Sequence, residues 1–247
     1  MGANSIFNGR VMDNQKPLVF ITGASRGIGL ATAHRFASNG WRVAAVARDF
    51  EALEALAAGY PAQTVTPLRC DLLDRTARYN FCKDWNESGL SIDAIVHNAG
   101  AGKFLSLEDT TDETWYETLE LNLTAPMHLT RELMPALKGA AGVPTCLCVS
   151  SIAAVRGFPM CTAYAAAKGG LLAWSNALRE EMRGRMRVTT LMPGATDSAF
   201  WDAQAGDWDR SKMMQCQTLA DSIYHIVTLP GEATVEQMTL MPATGAL

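Results

Sequence analysis

Seven short runs rich in apolar residues recur along the chain. They are "PLVFIT" (17–22), "RVAAVA" (42–47), "TVTPLR" (64–69), "DAIVHN" (93–98), "TCLCVS" (145–150), "RVTTLM" (187–192) and "QMTLMP" (237–242). Most are continuous rather than alternating, which is how strands covered on both faces read. Helical stretches lie between them, over 27–38, 51–57, 74–87, 112–138, 163–183 and 218–228. "TTDE" (110–113) predicts a capping box at the start of the longest. Strand and helix alternating in this way predict an α/β fold, a parallel sheet with helices on both faces. No Pro/Gly/Ser-rich linker divides the chain and no repeat is evident. A single domain over 17–247 is therefore expected, preceded by a flexible extension, 1–16. The segment 199–217 breaks the rhythm and carries Phe200, Trp201 and Trp208. It is either a lid over a site or a surface excursion.

The totals narrow the class. The chain has 247 residues, 48% of them hydrophobic, enough for one large core. Twenty-one Lys and Arg stand against 25 Asp and Glu, for a net charge of −4, with no basic run, which argues against nucleic acid as a partner. No apolar run approaches the length of a bilayer span. The opening "MGANSIFNGRVMDNQKP" lacks the apolar stretch of a secretory signal. It departs from the myristoylation pattern at Ile6, where Ser or Thr is required. The cysteines (70, 82, 146, 148, 161 and 216) include no C-x-x-C pair. Free thiols in a reducing cytoplasm are expected, with no metal site.

Two stretches carry candidate chemistry. "VFITGASRGIGLATA" (19–33) runs strand, glycine-rich turn, helix, with Gly23, Gly27 and Gly29 in the turn. Glycines there let a pyrophosphate approach a helix N-terminus, which points to a dinucleotide. The second strand ends Ala47-Arg48-Asp49. Arg48 with Arg26 would suit a 2′-phosphate, and hence NADP(H). Asp49 either serves ribose hydroxyls, and hence NAD(H), or caps the next helix. NADP(H) is the favoured reading. The second stretch, "TAYAAAKGG" (162–170), puts Tyr164 and Lys168 on one helical face among small residues.

With these motifs in order, the sequence resembles the short-chain dehydrogenase/reductase family from residue 17 to about 242. "TGASRGIG" (22–29) resembles its cofactor turn, bringing in Ser25 and Ile28. "CDL" (70–72) places Asp71 and Leu72 at the adenine. "HNAG" (97–100) supplies Asn98, Ala99 and Gly100, with His97 where the family usually has Asn. "LNLTAP" (121–126) supplies Asn122, and "VSSIAA" (149–154) supplies Ser151. "MPGATDS" (192–198) supplies Pro193, Gly194, Thr196 and Ser198 around the nicotinamide amide.

The resemblance implies a Rossmann fold of seven parallel strands in the order 3-2-1-4-5-6-7, with the site at the carboxyl edge of the sheet. It implies a catalytic set of Asn122, Ser151, Tyr164 and Lys168. Tyr164 would be the general acid/base, its phenol brought toward neutral pH by Lys168 and an oxidised nicotinamide. Ser151 would orient the carbonyl, Lys168 would hold the ribose, and Asn122 would hold a relay water. Phe104, Phe158, Met160, Phe200 and Trp201, with Trp208, fall where the family binds substrate, which suggests an apolar carbonyl compound. A homodimer or homotetramer on the 112–138 and 163–183 helices is implied too. The reading is an NADPH-dependent carbonyl reductase. The alternatives are an NAD-dependent alcohol dehydrogenase working oxidatively and a catalytically idle dinucleotide-binding protein.

Overall fold

The computed structural model describes residues 16–204 and 206–245. Nearly all of the expected N-terminal extension lies outside the described residues. The strands are β1 (Leu18–Thr22), β2 (Arg42–Ala47), β3 (Val65–Arg69), β4 (Ala94–His97), β5 (Thr145–Val149), β6 (Arg187–Pro193), β7 (Thr196–Asp197), β8 (Met214–Gln215) and β9 (Gln237–Leu240). Seven of them form one parallel sheet in the order β3-β2-β1-β4-β5-β6-β9. This is the expected order with β9 as seventh strand. The two-residue strands β7 and β8 pair only with each other, Thr196 with Met214 and Asp197 with Gln215.

Successive strand residues face opposite sides of the sheet, and the core divides accordingly. Leu18 and Phe20 of β1 join one apolar layer, where Phe20 meets the ring of Trp85 edge-on at 5.3 Å. Val19 and Ile21 join the other, with Phe36, Leu53, Leu219 and Ile223. The helices α1 (Gly27–Ser38), α2 (Phe50–Ala58) and α8 (Cys216–Val227) cover that second face. The first is covered by α3 (Arg75–Glu87), α5 (Ala125–Glu132), α6 (Met134–Lys138) and α7 (Thr162–Glu181), with α4 (Asp112–Leu119) packed on α7.

The stretch 112–138, expected as one helix, is interrupted. Between α4 and α5 runs a π-helical turn, Glu120–Thr124, and Leu133 separates α5 from α6. The helix cap also lies one residue later than expected. Thr111 caps α4 by accepting from Thr114 N at 3.1 Å. The Thr110 hydroxyl instead donates to Ser106 O at 2.7 Å, one residue ahead of the cap. In α7 the run of small residues has a packing reason. A Cβ on Gly170 would stand 2.8 Å from Leu123 Cδ2, so the wide turn reaches the helix only where the side chain is missing.

Candidate active site

The carboxyl ends of the central strands open onto one cavity of about 940 Å³. β1 lies between β2 and β4 there, the crevice where open α/β sheets bind ligands. Every residue expected at the site lines this cavity except Gly29 and Asn122, which stand behind its wall. In the turn after β1, Gly23 and Gly27 adopt φ of +68° and +57°. A Cβ on Gly29 would fall 2.1 Å from Gly23 O, so no side chain fits there. Asn98 fastens the turn, its Nδ2 donating to Thr22 O at 3.0 Å and Gly23 O at 3.2 Å. α1 begins without a side-chain cap or an acidic residue in its first turn. Its free N–H groups and dipole leave a positive end beside the cavity.

Asp49 is used as a helix cap, accepting from Ala52 N at 3.1 Å. Arg26 and Arg48 stand exposed on the same rim. Asp71 accepts from Leu73 N at 3.0 Å and shapes the next corner of the wall beside Leu72. Across the cavity, the exit from β6 brings Pro193, Gly194, Thr196 and Ser198 to the lining. Thr196 donates to Gly194 O at 3.1 Å and fixes that bend.

At the centre, Ser151, Tyr164 and Lys168 share the cavity wall. Ser151 comes two residues after β5 and caps a short 3₁₀ turn, accepting from Ala153 N at 3.1 Å. Lys168 is buried. Its Nζ donates to Val149 O at 3.0 Å and lies 5.6 Å from the centre of the Tyr164 ring. Asn122 sits in the π turn rather than in regular helix. Its Nδ2 donates to Ala101 O at 2.7 Å and Thr118 O at 2.8 Å, leaving Oδ1 buried without a partner among the described residues. A Cβ on Gly100 would stand 2.8 Å from that oxygen and 3.1 Å from Lys168 Nζ, so the two polar groups converge on one glycine.

Burial moves both titratable groups. It pushes the Tyr164 phenol up to about 12, against the opposing effect of Ser151, and the Lys168 ammonium down from 10.5 to about 8. Burial leads the upward shift of the phenol in the chain's own groups, whereas the expected approach to neutral pH also calls on an oxidised nicotinamide.

The far end is aromatic. Phe104 meets Phe200, Trp201 and Trp208 edge-on, with centroids 5.9, 6.0 and 6.1 Å apart. Phe200 lies 5.6 Å from Tyr164 and carries the cluster to the phenol. Phe158 and Met160 complete that wall. Met160 has φ of +61°, a strained value for a non-glycine residue, and its carbonyl accepts from Leu105 N at 2.8 Å. Cys161 also lines the cavity, and burial pushes its thiol up, as suits a packing residue. His97 lies in the core rather than at the cavity, its Nε2 2.7 Å from Thr130 Oγ1. Sequence reasoning missed Gln204, a buried amide bonded to residues about a hundred positions away. A lone Gln in an irregular segment gives no local signal.

Comparison with known proteins agrees with this geometry. The family model described as short chain dehydrogenase matches residues 17–208. A sulfoacetaldehyde reductase of Chromohalobacter salexigens is 29% identical over 92% of this chain and 94% of the relative. A serine 3-dehydrogenase of Agrobacterium fabrum is 28% identical over 91% of this chain and 93% of its own. The crystal structure of an alcohol dehydrogenase from the archaeon Thermococcus sibiricus, complexed with 5-hydroxy-NADP, superposes with a TM-score of 0.85 at 26% identity, covering 94% of this chain and 99% of that one. The chain belongs to the short-chain dehydrogenase family of oxidoreductases.

Proposed function

We propose that this protein is an NADPH-dependent reductase of an apolar, uncharged ketone or aldehyde, acting reversibly, with Tyr164 as the acid. One observation carries the reading: Ser151, Tyr164 and Lys168 face a single chamber that joins a phosphate-type turn at one end to an aromatic wall at the other.

The residues fit the cofactor. The uncapped start of α1 suits a pyrophosphate. Arg26 and Arg48 suit a 2′-phosphate, while Asp49, the acid that would serve NAD, is committed to α2. The Thermococcus sibiricus relative is a complex of an NADP derivative. The bound dinucleotide would supply the hydride.

The chain's own groups manage the proton. A phenol at about 12 stays protonated at neutral pH, ready to donate to the oxygen that gains charge as hydride arrives. Ser151 hydrogen-bonds that oxygen and fixes the carbonyl's approach. Lys168, poised at about 8, exchanges protons near neutrality and can reload the tyrosine. Asn122 Oδ1, turned toward the same point as Lys168 Nζ, accepts from a relay water there.

The segment 199–217 acts as a lid, and its rings with Phe104, Phe158 and Met160 form the substrate wall. The charged residues lining the chamber are Arg26, Arg48, Asp49 and Asp71 at the adenosine end, and Lys168. Among the described residues a sulfonate or amino-acid substrate would find no lining cation at the aromatic end, so a substrate unlike those named for the two relatives is expected. A panel of aryl and alkyl ketones and aldehydes, with NADPH oxidation as readout, tests this. Turnover confined to sulfoacetaldehyde or serine would defeat the apolar-substrate reading.

A further inference from the structure

The lid meets the rest of the site through one buried amide. Gln204 Nε2 donates to Gly102 O at 2.8 Å and to Phe200 O at 3.1 Å, while its Oε1 accepts from Phe104 N at 3.0 Å. All three bonds join segments far apart in sequence or at opposite ends of the lid's first turn. The residue is 7% exposed, so each bond is sheltered from competing water.

What these bonds hold lies against Tyr164. The backbone of Gly102 packs on the tyrosine ring so closely that a Cβ there would stand 2.5 Å from Cδ2 and 3.1 Å from Cγ. The ring of Phe200 lies beside it as well, at 5.6 Å between centroids. The two carbonyls bonded by Gln204 Nε2 therefore belong to two residues that lie against the phenol ring. The strap from Gly100 to Leu105 is further fixed by Asn122 at Ala101 O and by Met160 O at Leu105 N. Gln204 holds its middle, and no other side chain bonds that part among the described residues.

We propose that Gln204 is a positioning residue that ties lid to strap and so sets the place of the Tyr164 ring, coupling closure over the substrate to alignment of the acid. The catalytic half of this statement rests on the carbonyl-reductase reading above; the mechanical half does not. Gln204→Leu keeps most of the side-chain volume and removes all three bonds. Gln204→Glu keeps the acceptor for Phe104 N and removes the donor to the two carbonyls.

The mechanical half is read by fluorine NMR on protein carrying 3-fluorotyrosine. The chain has five tyrosines, and Tyr164→Phe assigns the one resonance that matters. That resonance is expected to shift or broaden in both Gln204 variants while the other four stay in place. Hydrogen exchange at Phe104 N–H is expected to quicken about tenfold or more in Gln204→Leu and less in Gln204→Glu. The catalytic half is read with NADPH and the carbonyl compound chosen by the panel. kcat should fall about tenfold or more in both variants, with the NADPH dissociation constant within about twofold of wild type.

An unmoved Tyr164 resonance in a folded variant overturns the proposal whatever the kinetics. So does a shifted resonance with kcat within about twofold of wild type, or a loss of NADPH affinity that matches the loss in kcat. If the wild type reduced no carbonyl compound, the reading of its reaction would fall, while the NMR and exchange results would still decide whether Gln204 holds the ring. Should Gln204→Leu not fold, Gln204→Glu carries the same measurements.

Discussion

Lys168 is an ammonium kept in a dry place, and its cost can be measured. Replacing it with Met keeps the straight chain and removes the charge. In the folded chain the ammonium titrates at about 8, against its ordinary 10.5. At about 1.4 kcal/mol per pH unit, that gap amounts to about 3 kcal/mol of stability withheld while the group stays charged.

The sign follows from proton counts. Between about pH 8 and 10.5 the unfolded chain holds the proton more firmly than the folded one, so stability rises with pH across that window. Below about 8 the whole cost is present, and above 10.5 it is gone. Urea unfolding of wild type and Lys168→Met at a series of pH values from neutral to above 10 reads this residue, since titrations of groups that do not interact with it cancel in the difference. Wild type should gain about 3 kcal/mol on the variant over the window, with the steepest rise inside it. Parallel pH profiles, or a gap that opens in the opposite direction, would show that Lys168 is not desolvated and would remove the reasoning that makes it a proton carrier near neutrality.

Further outcomes concern binding and assembly. Arg48→Ala should weaken NADPH about 5- to 30-fold and leave NADH within about twofold by fluorescence titration, since an exposed charge-assisted bond is worth about 1–2 kcal/mol; equal loss of both cofactors would refute a 2′-phosphate site. Gly29→Ala, whose methyl would meet Gly23 O at 2.1 Å, should abolish dinucleotide binding in calorimetry while the circular dichroism stays α/β. Tyr164→Phe should bind NADPH normally yet lose turnover by about two orders of magnitude or more in steady-state assays. Sedimentation velocity should return a dimer or tetramer, and Tyr116→Lys should weaken it, because Tyr116 stands 66% exposed on α4, within the 112–138 stretch expected at the interface.

The sheet was legible because parallel strands are covered twice and so read as unbroken apolar runs; β1, β2 and β5 are buried at every position. The cavity-lining residues were legible because they follow strand ends, where the motif spacing fixes their place. Four features were not. The interruption at Asn122 depends on how Leu123 meets Gly170 across two helices, which no local propensity records. The cap falls on Thr111 rather than Thr110, whose hydroxyl is turned back to Ser106 O. The direction of the Tyr164 shift depends on how much water the aromatic wall excludes, and the strap-to-lid bonds of Gln204 cross a hundred residues. Each is a tertiary effect layered on a locally consistent pattern.

The π turn at Glu120–Thr124 makes this part of the chain sensitive to length more than to lettering. A wide turn of this kind accommodates one surplus residue within a helix. Deleting a single position there would let α4 wind straight into α5 and swing the Asn122 amide away from Ala101 and Lys168, although the sheet would remain whole. Tolerance to exchange and intolerance to shortening should therefore part company within these five positions.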